Sequence, residues 1–128
     1  MSSQNCLNLM REQPYDLKLR TKAFALRVIK MYSDLPERHA VAQVLGKQVL
    51  RSGTSVGANY REASRARSKA EFISKVGDSL KEIEETEYWL ELLGESGCLP
   101  EKRLSGILAE TGELIAIFTA IDKNSKDC

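Results

Sequence analysis

Several things are scarce in this sequence, and each scarcity removes a class of protein. Three prolines and eight glycines in 128 residues are too few breakers for a small all-β fold built on tight turns. The three cysteines, Cys6, Cys98 and Cys128, are far apart and have no C-x-x-C spacing. That pattern indicates neither a zinc knuckle nor a redox pair. They read as free thiols of a reducing cytoplasm, and a secreted disulfide framework is disfavoured. Residues 1–14 carry no basic stretch followed by an apolar one, so no secretory signal is visible. No uninterrupted apolar run approaches the ~20 residues of a membrane helix, and no membrane role is expected.

Catalytic chemistry is equally thin. His39 is the only histidine and has no nucleophile near it in sequence, so it reads as a surface or helix-capping residue. A di-iron bundle site needs Glu-x-x-His on two helices, which one histidine cannot supply. The run Gly53-Thr54-Ser55-Val56-Gly57 lacks the lysine and the preceding strand of a phosphate loop. No catalytic residue, cofactor or metal is therefore expected, and the chain reads as non-enzymatic.

What is present is helical periodicity. A 42% hydrophobic share in a single-domain length can supply one core. Leu17, Thr21, Phe24, Val28, Met31 and Leu35 recur at four and three, with Ala25, Ile29 and Tyr32 widening the stripe. This predicts a first helix over about 15–34, stopped at Leu35-Pro36. A second is predicted over about 36–67, where Val41, Leu45 and Val49 begin an apolar face. Gly53 and Gly57 weaken it locally, but the spacing runs on through Ser52, Ser55, Asn59 and Glu62. Ser68-Lys69-Ala70-Glu71 is a capping box that opens a third helix, with Phe72, Val76, Ser79, Ile83, Thr86, Leu90 and Leu93 on its inner face. Gly94 and Gly97 are predicted as left-handed stops. The fourth helix, from Pro100 to about Lys123, turns Leu104, Leu108, Thr111, Ile115, Phe118 and Ile121 to one side. The expected fold is all-α: an antiparallel up-down-up-down four-helix bundle over 15–124, with a flexible tail at 1–14 and a short one at 125–128.

The net charge of +1 conceals a division. Residues 1–75 hold 14 Lys+Arg against 6 Asp+Glu, and residues 76–128 hold 5 against 12. Within the basic part, Lys47, Arg51, Arg61 and Arg65 fall on one helix face over about 27 Å. Arg67 and Lys69 extend it. The third helix is acidic, with Asp78, Glu82, Glu84, Glu85, Glu87, Glu91 and Glu95 opposed by Lys81. Two readings follow. The basic and acidic helices mate, within or between subunits, to set pairing and orientation; or the basic face meets the phosphates of RNA or DNA. The seam Ser52, Ser55, Asn59 and Glu62 is read first as a structural or subunit-contact network, and second as a ligand contact.

The stretch Arg51-Ser52-Gly53-Thr54-Ser55-Val56-Gly57-Ala58-Asn59-Tyr60-Arg61-Glu62-Ala63 resembles the R-S-x-x-S-[IV]-x-x-N-x-x-E-[AG] signature of a bacterial family. These are the four-helix-bundle proteins encoded in intervening sequences of large-subunit ribosomal RNA genes, called S23-like. Ser68, Glu71 and Phe72 match its S-x-x-E-F. Lys81-Glu82 with Thr86-Glu87-Tyr88-Trp89-Leu90-Glu91-Leu92-Leu93 is similar to its third helix, and Phe24 to Pro36 to its first helix and L-P turn. The resemblance covers about residues 15–122. It implies an up-down four-helix bundle that associates as a homopentamer. Through a more distant likeness to the accessory protein of diversity-generating retroelements, it also implies nucleic acid and a reverse transcriptase as partners. Arg51, Arg61 and Arg65 are the positions it places on a binding surface. The expectation is a cytoplasmic homo-oligomer, pentameric by the resemblance, that binds structured RNA or DNA through Lys47, Arg51, Arg61, Arg65, Arg67 and Lys69. The alternative is a protein-interaction scaffold whose basic and acidic helices form subunit contacts.

Overall fold

A computed structural model describes residues 3–11 and 16–128, and among them every regular element is a helix. There are five: α1 (Ser3–Arg11), α2 (Leu17–Ser33), α3 (Ala40–Ala63), α4 (Lys69–Glu95) and α5 (Glu101–Asp127). The all-α expectation holds, with five helices in place of four. The extra one lies where a flexible tail was expected: α1 buries Cys6, Leu7 and Met10 and packs against α4 and α5. Too short to persist alone, it is held by what it covers. The expected start at Tyr15 and the tail residues 1–2 and 12–14 lie outside the described residues.

Both chain ends depart from expectation for one reason. Docking of α1 beside the end of α5 brings Cys6 and Cys128 together as a disulfide, Cα atoms 6.2 Å apart across a sequence separation of 122. The reading of three free thiols is thus corrected; Cys98 is the free one. The expected tail at 125–128 is helical to Asp127 with Ser125 buried.

Local signals explain most boundaries. His39 Nδ1 accepts the Ala42 N–H at 3.1 Å, so this histidine caps α3, which begins at Ala40 and not at Pro36. Ser68 Oγ accepts the Glu71 N–H at 3.1 Å, as a capping box requires, but Glu71 reaches back to the Arg67 N–H at 3.3 Å and not to that of Ser68. Of the two predicted left-handed stops, Gly97 is left-handed, with φ of 81°. Gly94 lies inside α4, where its missing side chain admits Leu104.

The core is centred on Phe24 of α2, Phe72 of α4 and Phe118 of α5, with Tyr60 of α3 edge-on to Phe118 at 5.8 Å between ring centroids. All seven expected inner residues of α4 are buried. In α3 the expected apolar face is rotated. Val41 is exposed and Leu45 half-buried, while Ala42, Gly46, Val49, Gly53, Val56 and Gly57 are buried. Ile29 of α2 likewise points outward. The reason is close approach. A Cβ on Gly53 would lie 2.8 Å from Val28 Cγ2, one on Gly57 2.9 Å from Thr21 Oγ1, and one on Gly46 would overlap Leu35. Three glycines of α3 therefore form the surface against which α2 lies, and the larger apolar residues are displaced from it.

Elsewhere α2 is tied to α5 by polar contacts. Arg20 donates to both carboxylate oxygens of Glu110 (2.9 and 2.7 Å) and to Glu113 at 2.9 Å. By length and composition alone α5 is apolar enough to cross a membrane. The expectation based on uninterrupted runs missed this because Glu110 and Glu113 break the run, and those two carboxylates anchor the helix to Arg20.

Two outcomes follow. Gly53→Ala gains about 1 kcal/mol of helix propensity but overpacks against fully buried Val28 at a cost of about 1–3 kcal/mol. A lower urea midpoint is expected, whereas Gly77→Ala, with open space around it, raises the midpoint. The Arg20 hydrogen bond holds the Glu110 carboxyl below its ordinary value of 4.5. A depressed carboxyl stabilises the fold above its unfolded value, and that contribution fades as pH falls through the folded one. Arg20→Met should therefore flatten the loss of stability below about pH 4.5 in urea titrations at several pH values.

Candidate functional site

Helix α3, the second of those predicted from the sequence, carries both the polar seam and the basic stripe, and the structure separates them. It runs antiparallel to α4: Ser52 meets Thr86, Val56 meets Ser79, and Glu62 meets Lys75.

The inner part of the seam is closed. Ser52 is fully buried, donates to the Gln48 carbonyl at 2.9 Å, and lies 2.8 Å from Thr86 Oγ1. Thr86 Oγ1 is also 2.8 Å from the Glu82 carbonyl, and buried Ser79 donates across the interface to the Val56 carbonyl at 2.9 Å. Every one of these buried hydroxyls has a partner, as buried polar groups require. Ser55 is half-buried and bonds back to the Arg51 carbonyl at 2.7 Å. Asn59 is half-buried at the edge, and its side chain makes no hydrogen bond among the described residues. Glu62 is an exposed ion-pair partner of Lys75 at 2.6 Å; that contact lowers the Glu62 carboxyl and raises the Lys75 amine. The seam is thus a helix–helix contact of α3 with α4. Ser79 and Thr86, read from spacing only as inner-face positions, supply its second half.

The basic stripe is divided. Arg51 turns toward α4, where it donates to Glu85 at 2.7 Å and Glu82 at 3.4 Å. Its guanidinium is held in the charged form chiefly by the Glu85 hydrogen bond, which reciprocally lowers the Glu85 carboxyl. Glu82 moves the other way, raised mainly by burial. Mating of basic and acidic helices therefore occurs within the chain at Arg51. Lys47 and Arg61 are exposed on α3 and make no ion pair among the described residues. Arg65 does not continue the helical stripe, because α3 ends at Ala63 with Ser64 as its cap. It lies with Arg67 in the connection to α4, both exposed. Lys69 opens α4 half-buried, its ammonium donating to the Cys128 carbonyl. One cation is committed to α4, one to the end of the chain, and four remain open to solvent: Lys47 on the helix and Arg61, Arg65 and Arg67 around the α3–α4 corner.

Ser52→Ala and Thr86→Val should each cost about 1 kcal/mol, and the double variant less than their sum, because both remove the same hydrogen bond. Asn59→Ala should leave the urea midpoint almost unchanged.

No curated protein matches the chain. A solved structure similar to it is that of a protein of unknown function from the S23 ribosomal protein family of Bacteroides thetaiotaomicron VPI-5482, 40% identical, with a TM-score of 0.77. The similarity covers 83% of this chain and 97% of that one. The family model for 23S rRNA-intervening sequence proteins matches residues 15–120, which include the whole seam, the α3–α4 corner and the acidic face of α4. The chain therefore belongs to the 23S rRNA-intervening sequence protein family.

Proposed function

We propose that this chain is a non-enzymatic accessory protein whose four long helices act as an up-down-up-down bundle, and that it binds RNA through Lys47, Arg61, Arg65 and Arg67. The observation that supports this reading is that these four cations are exposed and make no ion pair among the described residues, while Glu82 and Glu85 of α4 are occupied by Arg51 and Glu62 by Lys75. Exposed cations gathered at a helix corner are suited to phosphates, where binding gains from counterion release. Arg51 serves the fold in this reading and leaves the contact set; Lys69 is at its margin.

Self-association belongs to the same proposal. Leu19, Leu26 and Ile29 on the outer side of α2, with Val41 and Val44 at the start of α3, are large apolar side chains exposed on one chain. Covering such residues with a second copy removes apolar area from water, worth about 25 cal/mol per Å². A ring of five is the number the family resemblance carries. The alternative, a scaffold whose charged helices mate between subunits, is favoured by the acidic groups of α4 that stay exposed, Glu84, Glu91 and Glu95.

Filter binding of a stem-loop RNA at several salt concentrations tests the reading. A linear log–log dependence is expected, and Arg61→Glu with Arg65→Glu should reduce its slope by about two. No measurable affinity at about 50 mM salt would overturn RNA binding. If the same pair of reversals instead dissociates the oligomer on a sizing column, the corner is a subunit contact.

A further inference from the structure

A second cationic feature lies away from α3 and was not visible as a sequence pattern. A groove of about 440 Å³ separates the C-terminal half of α2 from the first turns of α5. Arg27 and Lys30 approach it from α2, and Lys102 and Arg103 from α5. One carboxylate lines it: Asp34 pairs with Arg103 at 3.4 Å and Lys30 at 3.7 Å. The side chains of Arg27 and Lys102 make no hydrogen bond or close ion pair among the described residues, and Arg27 feels the Glu110 carboxylate only at longer range. Four cations sharing one concavity with one carboxylate repel one another, and an anionic occupant relieves that repulsion.

The lining is not only charged. Met31, Leu99 and Ile107 give it an apolar base. Gly106 admits Arg27 closely: a Cβ there would lie 3.1 Å from Arg27 Nη2. The planar guanidinium thus lies against the backbone of α5, beside an apolar surface, where it can stack on a flat ring. No side chain caps the N-terminus of α5 at Pro100, so its positive end adds to the field beside Lys102 and Arg103. The adjacent groove between α4 and α5 has the opposite sign, lined by Glu91, Glu95 and Glu101 with no cation.

We infer that the α2–α5 groove binds a nucleoside phosphate, the phosphate between Lys30, Lys102 and Arg103 and the base on the apolar floor beside Arg27. The volume suits a small organic anion and not a protein segment. The nucleotide is either free or a unit of a single strand; the chemistry recognised is the same. The site does not depend on the α3 corner, and the two are tested by different variants.

Calorimetric titration of the full chain with adenosine monophosphate, pyrophosphate and a short single-stranded RNA, at about 50 mM salt, decides it. Saturable binding of adenosine monophosphate is expected, tighter than that of pyrophosphate. Lys102→Glu with Arg103→Glu should weaken it about tenfold or more, the loss expected for a charge-assisted contact. Because Arg103 also bonds Asp34, Lys102→Gln serves as a second variant that breaks no contact, with folding checked by circular dichroism. Lys123→Glu, exposed elsewhere on α5, should leave binding unchanged. Tighter binding of the strand than of the mononucleotide, weakened by Lys102→Gln and retained in Arg61→Glu with Arg65→Glu, assigns the ligand to single-stranded RNA; weaker binding of the strand assigns it to a free nucleotide. Absence of saturable binding by either, pyrophosphate binding as well as adenosine monophosphate, or equal weakening by Lys123→Glu would each overturn the inference.

Discussion

Close approach of α3 to both of its neighbours is the constraint on which the remaining packing rests. On one side Gly46, Gly53 and Gly57 present no Cβ where Leu35 and, on α2, Val28 and Thr21 come close. On the other, Ser52 and Val56 meet Thr86 and Ser79 of α4 through hydrogen bonds that need short side chains on both helices. Small residues permit the distance, and hydroxyls satisfy the polar atoms that the distance buries. Because α3 spends its buried surface on closeness, larger apolar residues such as Val41 and Val44 are turned outward.

The same arrangement sorts the charge. Antiparallel packing of α3 on α4 aligns Arg51 with Glu82 and Glu85, and Glu62 with Lys75. These exposed pairs add little stability, because solvent screens them, but they fix which charges are neutralised. Beyond the C-cap at Ser64, the side chains of Arg65 and Arg67 face solvent. A total near zero is thereby distributed as neutralised seams and uncompensated corners. The groove between α2 and α5 gathers four further cations around the single carboxylate of Asp34.

Much of the fold was legible because helical spacing is a local property. Phe72 to Leu93 recur at four and three, and all seven of those side chains are buried. The Ser68 cap and the Gly97 stop are likewise set by residues within a few positions of each other. Where the spacing misled, a neighbouring helix had overruled it. Leu45 has a higher intrinsic claim to the core than Gly46 or Ala42, yet only the small pair fits under α2. The docking of α1 was not legible, since nine residues with three inward side chains carry no signal without the surface that receives them.

Of the candidate site, the ingredients are local: a basic α3, an acidic α4, and a run of small and polar residues along α3. Which cations remain available was decided only by tertiary structure, because neutralisation depends on distances between side chains tens of residues apart. Arg51 and Arg61 look equivalent in the sequence; one lies 2.7 Å from a carboxylate and the other faces water. Arg27, Lys30, Lys102 and Arg103 show no pattern along the chain and share one groove in space. The joining of Cys6 to Cys128 is of the same kind, since only the packing of α1 beside the end of α5 brings the two sulfurs together. Periodicity fixes which face of a helix is apolar; it carries no information about which distant charge or thiol will stand opposite.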